Sequence, residues 1–427
     1  MPLPLSLKRV PSTAARRLPS PLHLQARSIG NLPSSQTDLE SKVNIKAVAA
    51  GINISITSRR HASTSLSTRD NNDIKMTLTQ QHQNQPYSVI ISQVSERFAQ
   101  ARESGDLLFF PSEVYLHEEA GIQFQIRLCP ALQQKPRLPT PHFDDEQSAA
   151  NEHGAYRVDM HPKKPDPFAP PYIPNLLVGE LRDEEEGEEF VILLNKYSVV
   201  PNHFLMVTKG YKSQTGPLFP AELVQTYLLL DAARRAGKDF FAFYNCGDVS
   251  GASQAHKHIQ FLPVEDDGPP IERLARTVNL GHDSIAFTFN SLPFATHVRR
   301  LPSSLGSSPR QEMEDILGEA FMTLLDLAIS TVRHDPTHPA GQPSYNVILT
   351  RQHMYLVPRK REEHILRETG DPLSVNALGF AGLLLVKSER ELEAVKRESA
   401  VEILRDVALE NVHEQQIVGA HDVDPET

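Results

Sequence analysis

Two histidines one residue apart, His256 and His258, stand in the stretch YNCGDVSGASQAHKHIQFLPV, residues 244–264. On a β-strand, the period of two puts His256, His258, Gln260 and Leu262 on one face and Lys257, Ile259 and Phe261 on the other. Just upstream, the small residues Gly247, Ser250, Gly251, Ala252 and Ser253 link this strand to the apolar run FFAFYN. Backbone N–H groups of such a loop can approach an anion closely. An anion-holding loop that leads into two aligned imidazoles predicts phosphoryl or nucleotidyl transfer with a histidine nucleophile. Two blander roles compete: a metal-ligand pair, since both rings face one way, and a merely structural pair. A metal site would call for more His, Cys or carboxylate ligands nearby. Gln260 is a poor ligand, but its amide suits a phosphoryl oxygen or a ring nitrogen.

Asn245-Cys246-Gly247, the loop Ser250-Gly251-Ala252-Ser253-Gln254 and His256-Lys257-His258-Ile259-Gln260 resemble the active-site segment of the histidine triad superfamily. More narrowly, they resemble its branch with Gln in place of the third His. That branch holds the fungal diadenosine tetraphosphate phosphorylases (ATP adenylyltransferases) and galactose-1-phosphate uridylyltransferase. The likeness to the phosphorylases runs from about Pro86 to Asn411. It implies that His258 is the nucleophile, that His256 orients and polarises the site, and that Gln260 holds a non-bridging phosphoryl oxygen. Lys135, at the end of IQFQIRLCPALQQK, matches a substrate-contacting lysine, and Asn195-Lys196 matches a nucleotide-binding pair. Asn245 and the loop Ser250–Gln254 would bind nucleotide and phosphate, and the loop would stabilise developing charge. Asn346, Thr350, Met354 and Arg359 would face nucleotide. The alternatives are a core position for Met354, a solvated end for Arg359 and an ordinary exposed lysine at 135.

The implied reaction is phosphorolysis of diadenosine tetraphosphate to ATP and ADP, and its reverse, through a histidine–AMP adduct. The partners would be a dinucleoside polyphosphate, ATP, ADP and inorganic phosphate, with a divalent cation, Mg2+, accompanying the substrate. A uridylyltransferase would carry a CxxC zinc pair, which is absent, so no structural zinc is expected. A histidine triad hydrolase would have a third His where Gln260 stands. A nucleotide-binding sensor without turnover is the alternative from outside enzymology.

The elements that must position these groups read as follows. Residues 87–104 have helical spacing and end at Gly105. IQFQIRL alternates as a strand, whereas residues 138–173 lack periodicity and read as a surface loop. Its last part, DPFAPPYIPNLLVGEL, also resembles the phosphorylases and would border the site. EEFVILLNKYSVVPNHFLMVTK is a hairpin turning at Pro201-Asn202, with Asn195-Lys196 in its first strand. Residues 218–236 are helical, with Pro220 near the start and Gly237 as the stop. Strand, turn, strand, helix and two strands make an antiparallel α+β unit. In the second half, SIAFTFNSLPFATHVRRL reads as strand and SPRQEMEDILGEAFMTLLDLAISTVRHD as a long amphipathic helix. SYNVILTRQHMYLVPRK looks like the first hairpin again, SVNALGFAGLLLV like a last strand, and residues 388–409 like one charged helix. The fold class expected is α+β, with histidine-triad-like antiparallel sheets and packed helices. The resemblance makes it an internally duplicated pair with one active half. The divisions are an extension at 1–75, a catalytic half at 76–270, a degenerate half at 271–411 that completes the nucleotide site, and a tail at 412–427.

The 427 residues carry a net charge of −10, against wholesale nucleic-acid binding. No apolar run approaches the ~20 residues needed to span a bilayer. Cys129 and Cys246 suggest neither a disulfide framework nor a zinc site. A reducing compartment fits, the cytoplasm or nucleus. Residues 1–75 differ: they hold 11 Lys and Arg against 4 Asp and Glu, leaving 32 and 49 in the remainder, a net charge of −17. Such a segment resembles a mitochondrial transit peptide. The alternatives are a disordered extension or translation from Met76.

Overall fold

The computed structural model describes residues 86–134, 166–265, 268–282, 284–338 and 341–412. Helix α1, Tyr87–Glu103, buries Ile90, Ile91, Val94, Phe98 and Ala101, and Gly105 ends it at φ 79°. Strands β1 (Leu108–Phe109), β2 (Glu113–Glu119) and β3 (Ile122–Leu128) follow, β3 burying every second residue. Then come β4 (Leu177–Arg182), β5 (Glu189–Leu194), β6 (Tyr197–Ser198), β7 (Phe204–Thr208) and α2 (Pro220–Arg235). The histidine stretch supplies β8 (Phe240–Cys246) and β9 (His258–Pro263). Beyond it lie α3 (Pro270–Thr277), β10 (Ala286–Phe287), β11 (His297–Arg300) and α4 (Arg310–His334). Next are β12 (Tyr345–Leu349), β13 (His353–Pro358), β14 (Glu363–Ile365) and β15 (Pro372–Ser374). The chain closes with α5 (Ala377–Phe380), β16 (Leu383–Val386), α6 (Glu389–Glu398) and α7 (Ala400–Val407).

One nine-stranded sheet, in the order β10-β11-β13-β12-β8-β9-β7-β5-β4, organises the chain, and β16-β3-β2 forms a second, smaller one. Every pairing in the large sheet is antiparallel. This is the expected α+β architecture, with the strand, turn, strand, helix and two strands in the predicted order. Turn residue Asn202 has φ 62°, a left-handed conformation that asparagine tolerates.

The two faces of the large sheet are buried differently. One face carries Phe190, Ile192, Phe204, Met206, Ile259, Phe261, Val347, Met354 and Leu356 into a single core with α1, α2 and α4. The other face has two separate apolar patches. Phe241, Phe243, Leu262, Ile348, Tyr355 and Val357 pack against β3, β16 and α3, α5, α6 and α7. Val191, Leu193, Leu205 and Val207 pack under Phe168, Tyr172 and Leu177. Strand β9 lies between β7 of one patch and β8 of the other. His258 and Gln260 therefore come up in the seam.

Several element readings need correction. The stretch 374–386 is not one strand but α5 followed by β16. The charged helix of 388–409 is broken into α6 and α7 at Ser399, whose φ is 81°. Residues 284–301 form only two short strands. Asn195 and Lys196 lie beyond the end of β5, in the turn, not within the strand. The pair β12–β13 takes the place of β8–β9 and not of the first hairpin, because it follows a long helix and shares the register. Ile348 faces Tyr355 as Phe243 faces Gln260, and Arg300 faces His353 as Val207 faces His258. The common register is a property of topology and says nothing of descent.

Candidate active site

The strand that carries the two histidines is anchored from behind. Lys257 points away from the seam and is buried, its Nζ 2.7 Å from Glu222 Oε2 and 2.6 Å from the carbonyl of Pro217. Glu222 is itself tied to the start of α2 by accepting the N–H of Phe219 at 2.8 Å. Ile259 and Phe261 enter the helix-side core. With alternate residues fixed there, His256, His258 and Gln260 must face the other way. Gln214, fully buried, secures the entry to β9. Its Oε1 accepts the N–H of His258 at 2.8 Å, and its Nε2 donates to the carbonyl of Asn245 at 2.8 Å.

His258 is 3 % exposed. Its Nδ1 lies 2.8 Å from the carbonyl oxygen of His256. A carbonyl only accepts, so Nδ1 holds the proton and the lone pair sits on Nε2. Burial pulls the pKa down to about 4, so the ring is neutral at physiological pH. A neutral imidazole with a fixed tautomer is a ready nucleophile. His256 donates Nε2–H to the carbonyl of Thr208 at 2.7 Å, and its Nδ1 is 2.7 Å from Asp166 Oδ2. Both nitrogens thus face acceptors, which fixes the orientation of the ring.

Gln260 is oriented by a chain of three side chains. Asn195 Nδ2 donates to His203 Nδ1 at 2.9 Å, and His203 Nε2–H then donates to Gln260 Oε1 at 3.0 Å. Burial depresses the pKa of His203 to about 3, which keeps it neutral and the chain in one direction. With Oε1 occupied, the Gln260 NH2 group is the end turned to the seam, a donor aimed where a phosphoryl oxygen would lie. Asn195 thus acts through His203. Lys196 is exposed in the adjoining turn, and Lys135 lies outside the described residues.

The loop after β8 is tightly shaped. Gly247 and Gly251 have φ of 92° and 79°. A Cβ on Gly251 would fall 2.7 Å from Asn376 Cβ and 2.8 Å from the Val375 carbonyl, so only glycine fits. Ser250 is buried and donates to the Gly247 carbonyl at 2.6 Å. Its hydroxyl holds the loop together. Ala252 is buried, Ser253 exposed and Gln254 half-buried. Asn245 accepts at Oδ1 from Asn346 Nδ2 at 2.8 Å and from the Ala377 N–H at 3.0 Å.

The four second-half residues expected at nucleotide are set in different surroundings. Arg359 is 0 % exposed, and its five N–H donors are all engaged. Nε reaches the Val407 carbonyl, one terminal nitrogen reaches Asn346 Oδ1 and the Ser250 carbonyl, and the other reaches the carbonyls of Arg361 and Glu362. Asn346, also fully buried, spends its amide on Asn245 and the Ser250 carbonyl. Both hold the loop from beneath. Thr350 caps the turn between β12 and β13 by accepting from the N–H of His353 at 2.8 Å. It stands four residues along β12 from Asn346, about 13 Å away. Met354 is in the core on the helix side of the sheet, the face opposite His258. Strand parity turns Met354 away from the seam, whereas Thr350, with the parity of Ile348, lies on the seam's face at the far end of β12.

Two contributors went unread in the sequence, His203 and Gln214; Asp166 and Phe168 belong to the segment DPFAPPYIPNLLVGEL that the resemblance places at the site's border. His203 did carry a signal, since in the β7 hairpin it has the parity of Leu205 and Val207, which face the seam. Residue 376 was readable only as strand, yet it lies against Gly251.

An antiparallel sheet that presents His-x-His-x-Gln beside a glycine-shaped loop, with helices behind, defines an enzyme of the histidine triad type that transfers nucleotidyl groups. The comparisons give its family. Residues 79–276 match the family model "Ap4A phosphorylase N-terminal domain" and residues 290–410 match "ATP adenylyltransferase C-terminal domain". The chain belongs to the Ap4A phosphorylase family. It is 30 % identical over 319 residues to diadenosine 5',5'''-P1,P4-tetraphosphate phosphorylase 2 of Saccharomyces cerevisiae, covering 70 % of this chain and 88 % of that one. Protein APA1 of the same yeast is 27 % identical over 334 residues, covering 75 % and 93 %. The crystal structure of yeast Ap4A phosphorylase Apa2 superposes with a TM-score of 0.59 at 26 % identity, over 75 % of this chain and 98 % of that one. The structure of Apa2 in complex with Ap4A gives 0.58 at 26 %, with the same coverage.

Proposed function

We propose that this chain catalyses phosphorolysis of diadenosine tetraphosphate to ATP and ADP, and the reverse, through a histidine–AMP intermediate on His258. The observation that carries the proposal is the fixed tautomer of His258, buried and neutral, with its Nε2 lone pair in the seam. Nε2 attacks the α-phosphorus, the bond to the bridging oxygen breaks, and ATP departs. The adduct is cationic, because Nδ1 keeps its proton. The His256 carbonyl, which accepts the hydrogen bond from this N–H, stabilises the charge. Gln260 donates its amide to a non-bridging oxygen, where charge grows in the transition state. An oxygen of inorganic phosphate then attacks phosphorus, the electron pair returns to Nε2, and ADP forms.

Asn245 and the Ser250–Gln254 loop bound the phosphate region, and Lys135 and Lys196 are the cations for the polyphosphate. In this reading residues 76–270 are the catalytic half, and residues 271–411 brace its loop. Among the described residues no group of three or more His, Cys, Asp or Glu is placed to hold a metal ion. Mg2+ enters as part of the substrate, on the polyphosphate's own oxygens. The reaction with radiolabelled phosphate tests the scheme. Label should appear only in ADP, and His258→Ala should remove turnover while the protein stays folded. Label in ATP, or a fully active Ala variant, would defeat it.

A further inference from the structure

The seam has one wall that the scheme above does not use. Asp166 employs both carboxylate oxygens: Oδ1 accepts the N–H of Phe168 at 2.9 Å, and Oδ2 meets His256 Nδ1 at 2.7 Å. The first bond folds the chain back on itself, and the second ties that fold to the motif. Phe168 is thereby set with its ring centroid 5.1 Å from that of His258 and 6.1 Å from that of His256. It also rests on the apolar patch of Val191, Leu193, Leu205 and Val207. Phe168 is an aromatic group beside the nucleophile, and it is held there through the hydrogen bond between Asp166 and the neighbouring His256.

A histidyl–AMP adduct can be resolved by two nucleophiles. If a phosphate oxygen attacks, a P–O bond forms, the P–Nε2 bond breaks with its pair returning to nitrogen, and ADP results. If water attacks, the same P–N bond breaks, the water loses a proton to solvent, and AMP results. Water is in large excess over phosphate, so a phosphorylase must keep it from the adduct. Apolar enclosure is the general means.

We propose that Phe168, latched through Asp166 to His256, is a specificity-determining wall that shields the adduct from water and so favours phosphate. This rests on the phosphorylase reading. Asp166 is the positioning residue, acting through Phe168 and His256. At a fixed phosphate concentration, the AMP-to-ADP ratio produced from diadenosine tetraphosphate reads the partition directly. For Phe168→Ala the ratio should rise by about tenfold, equivalent to about 1.4 kcal/mol of lost discrimination. Phe168→Leu, which restores apolar bulk, should return most of it. Asp166→Asn should shift it the same way.

A ratio unchanged in all three variants overturns the proposal. So does a raised KM with the ratio unchanged in Phe168→Ala, which would make Phe168 a nucleotide contact. If the Ala variant does not turn over, the Leu and Asn variants decide. The wild type keeps the two proposals separate. Without labelled ADP from wild type the phosphorylase reading itself fails, whereas labelled ADP with unresponsive variants sinks only the wall.

Discussion

Arg359→Lys separates a nucleotide-binding arginine from one that braces the loop. In the structure the guanidinium spans five acceptors: Asn346 Oδ1 at 2.7 Å and the carbonyls of Ser250, Arg361, Glu362 and Val407 at 2.7–3.3 Å. Burial lowers its pKa to about 9, so it remains charged at neutral pH. Lysine keeps the charge but offers three donors from a single atom. The carbonyls of Ser250, Glu362 and Val407 keep other donors, but at least two of the five hydrogen bonds must be lost, at about 1–3 kcal/mol each, for a total of about 2–6 kcal/mol. For a folded unit of some three hundred residues, about 1.5 °C of Tm is lost per kcal/mol, so Tm should fall by about 3–9 °C. Because Ser250 and Asn346 lose their brace, the KM for diadenosine tetraphosphate should rise as well. Differential scanning fluorimetry alongside initial rates, measured well below the transition, would show both. A raised KM with an unaltered Tm would refute the reasoning and return Arg359 to the nucleotide.

Four further outcomes are open to measurement. With the His258 pKa at about 4, the acid limb of kcat/KM should fall near pH 4 and not near the ordinary 6.5; a limb near 6.5 would mean that the ring is not buried as described. The linkage has the same origin: the unfolded ring takes a proton below about 6.5 and the folded ring only below about 4. His258 therefore costs no stability above pH 6.5 and about 3 kcal/mol once the pH has dropped through 4, so His258→Ala should flatten Tm against pH in that window. Gln260→Ala should lower kcat on the order of 10²-fold, and His203→Ala should act in the same direction with a double variant far from additive; strictly additive losses would sever the Asn195–His203–Gln260 chain. Deleting residues 1–75 should leave kcat/KM unchanged, since the family match begins at residue 79, and a large loss in a folded truncation would make the extension part of the enzyme.

What was legible in the sequence is what local periodicity governs. The parity of a strand assigns His256, His258 and Gln260 to one face and Lys257, Ile259 and Phe261 to the other, and the structure agrees at each position. The helix ends at Gly105 and Gly237 and the turn at Pro201-Asn202 are equally local. What was not legible depends on partners far along the chain. Nothing near residue 359 says whether an arginine after Pro358 is solvated, bound to nucleotide or buried. The structure makes it buried, because acceptors from residues 250, 346 and 407 converge on it. Met354 was assigned to nucleotide by resemblance, although its strand parity, opposite to Tyr355, already puts it on the helix side. His203 was overlooked because its role exists only once β7 lies beside β9 and brings it to Gln260.

The common register of β8–β9 and β12–β13 puts His353 where the first half has His258, and Tyr355 where it has Gln260. His353 is nevertheless no second nucleophile, for physical reasons. Its Nδ1 is 2.7 Å from Glu272 Oε1, and the Tyr355 hydroxyl donates to the other oxygen of the same carboxylate at 2.5 Å. Arg300 Nε, at 3.5 Å, is directed at His353 Nε2, the atom whose lone pair would have to attack. A buried carboxylate beside the ring also repels the phosphate such an attack would need. In the first half the equivalent Nδ1 is satisfied by a neutral backbone carbonyl, which fixes the tautomer without adding a negative charge. One frame thus holds two histidines with opposite fates. The difference lies in what α3 brings against the second, since Glu272 belongs to that helix. The second half is left to contribute from the other end of β12, where Asn346 and Arg359 set the shape of the loop beside His258.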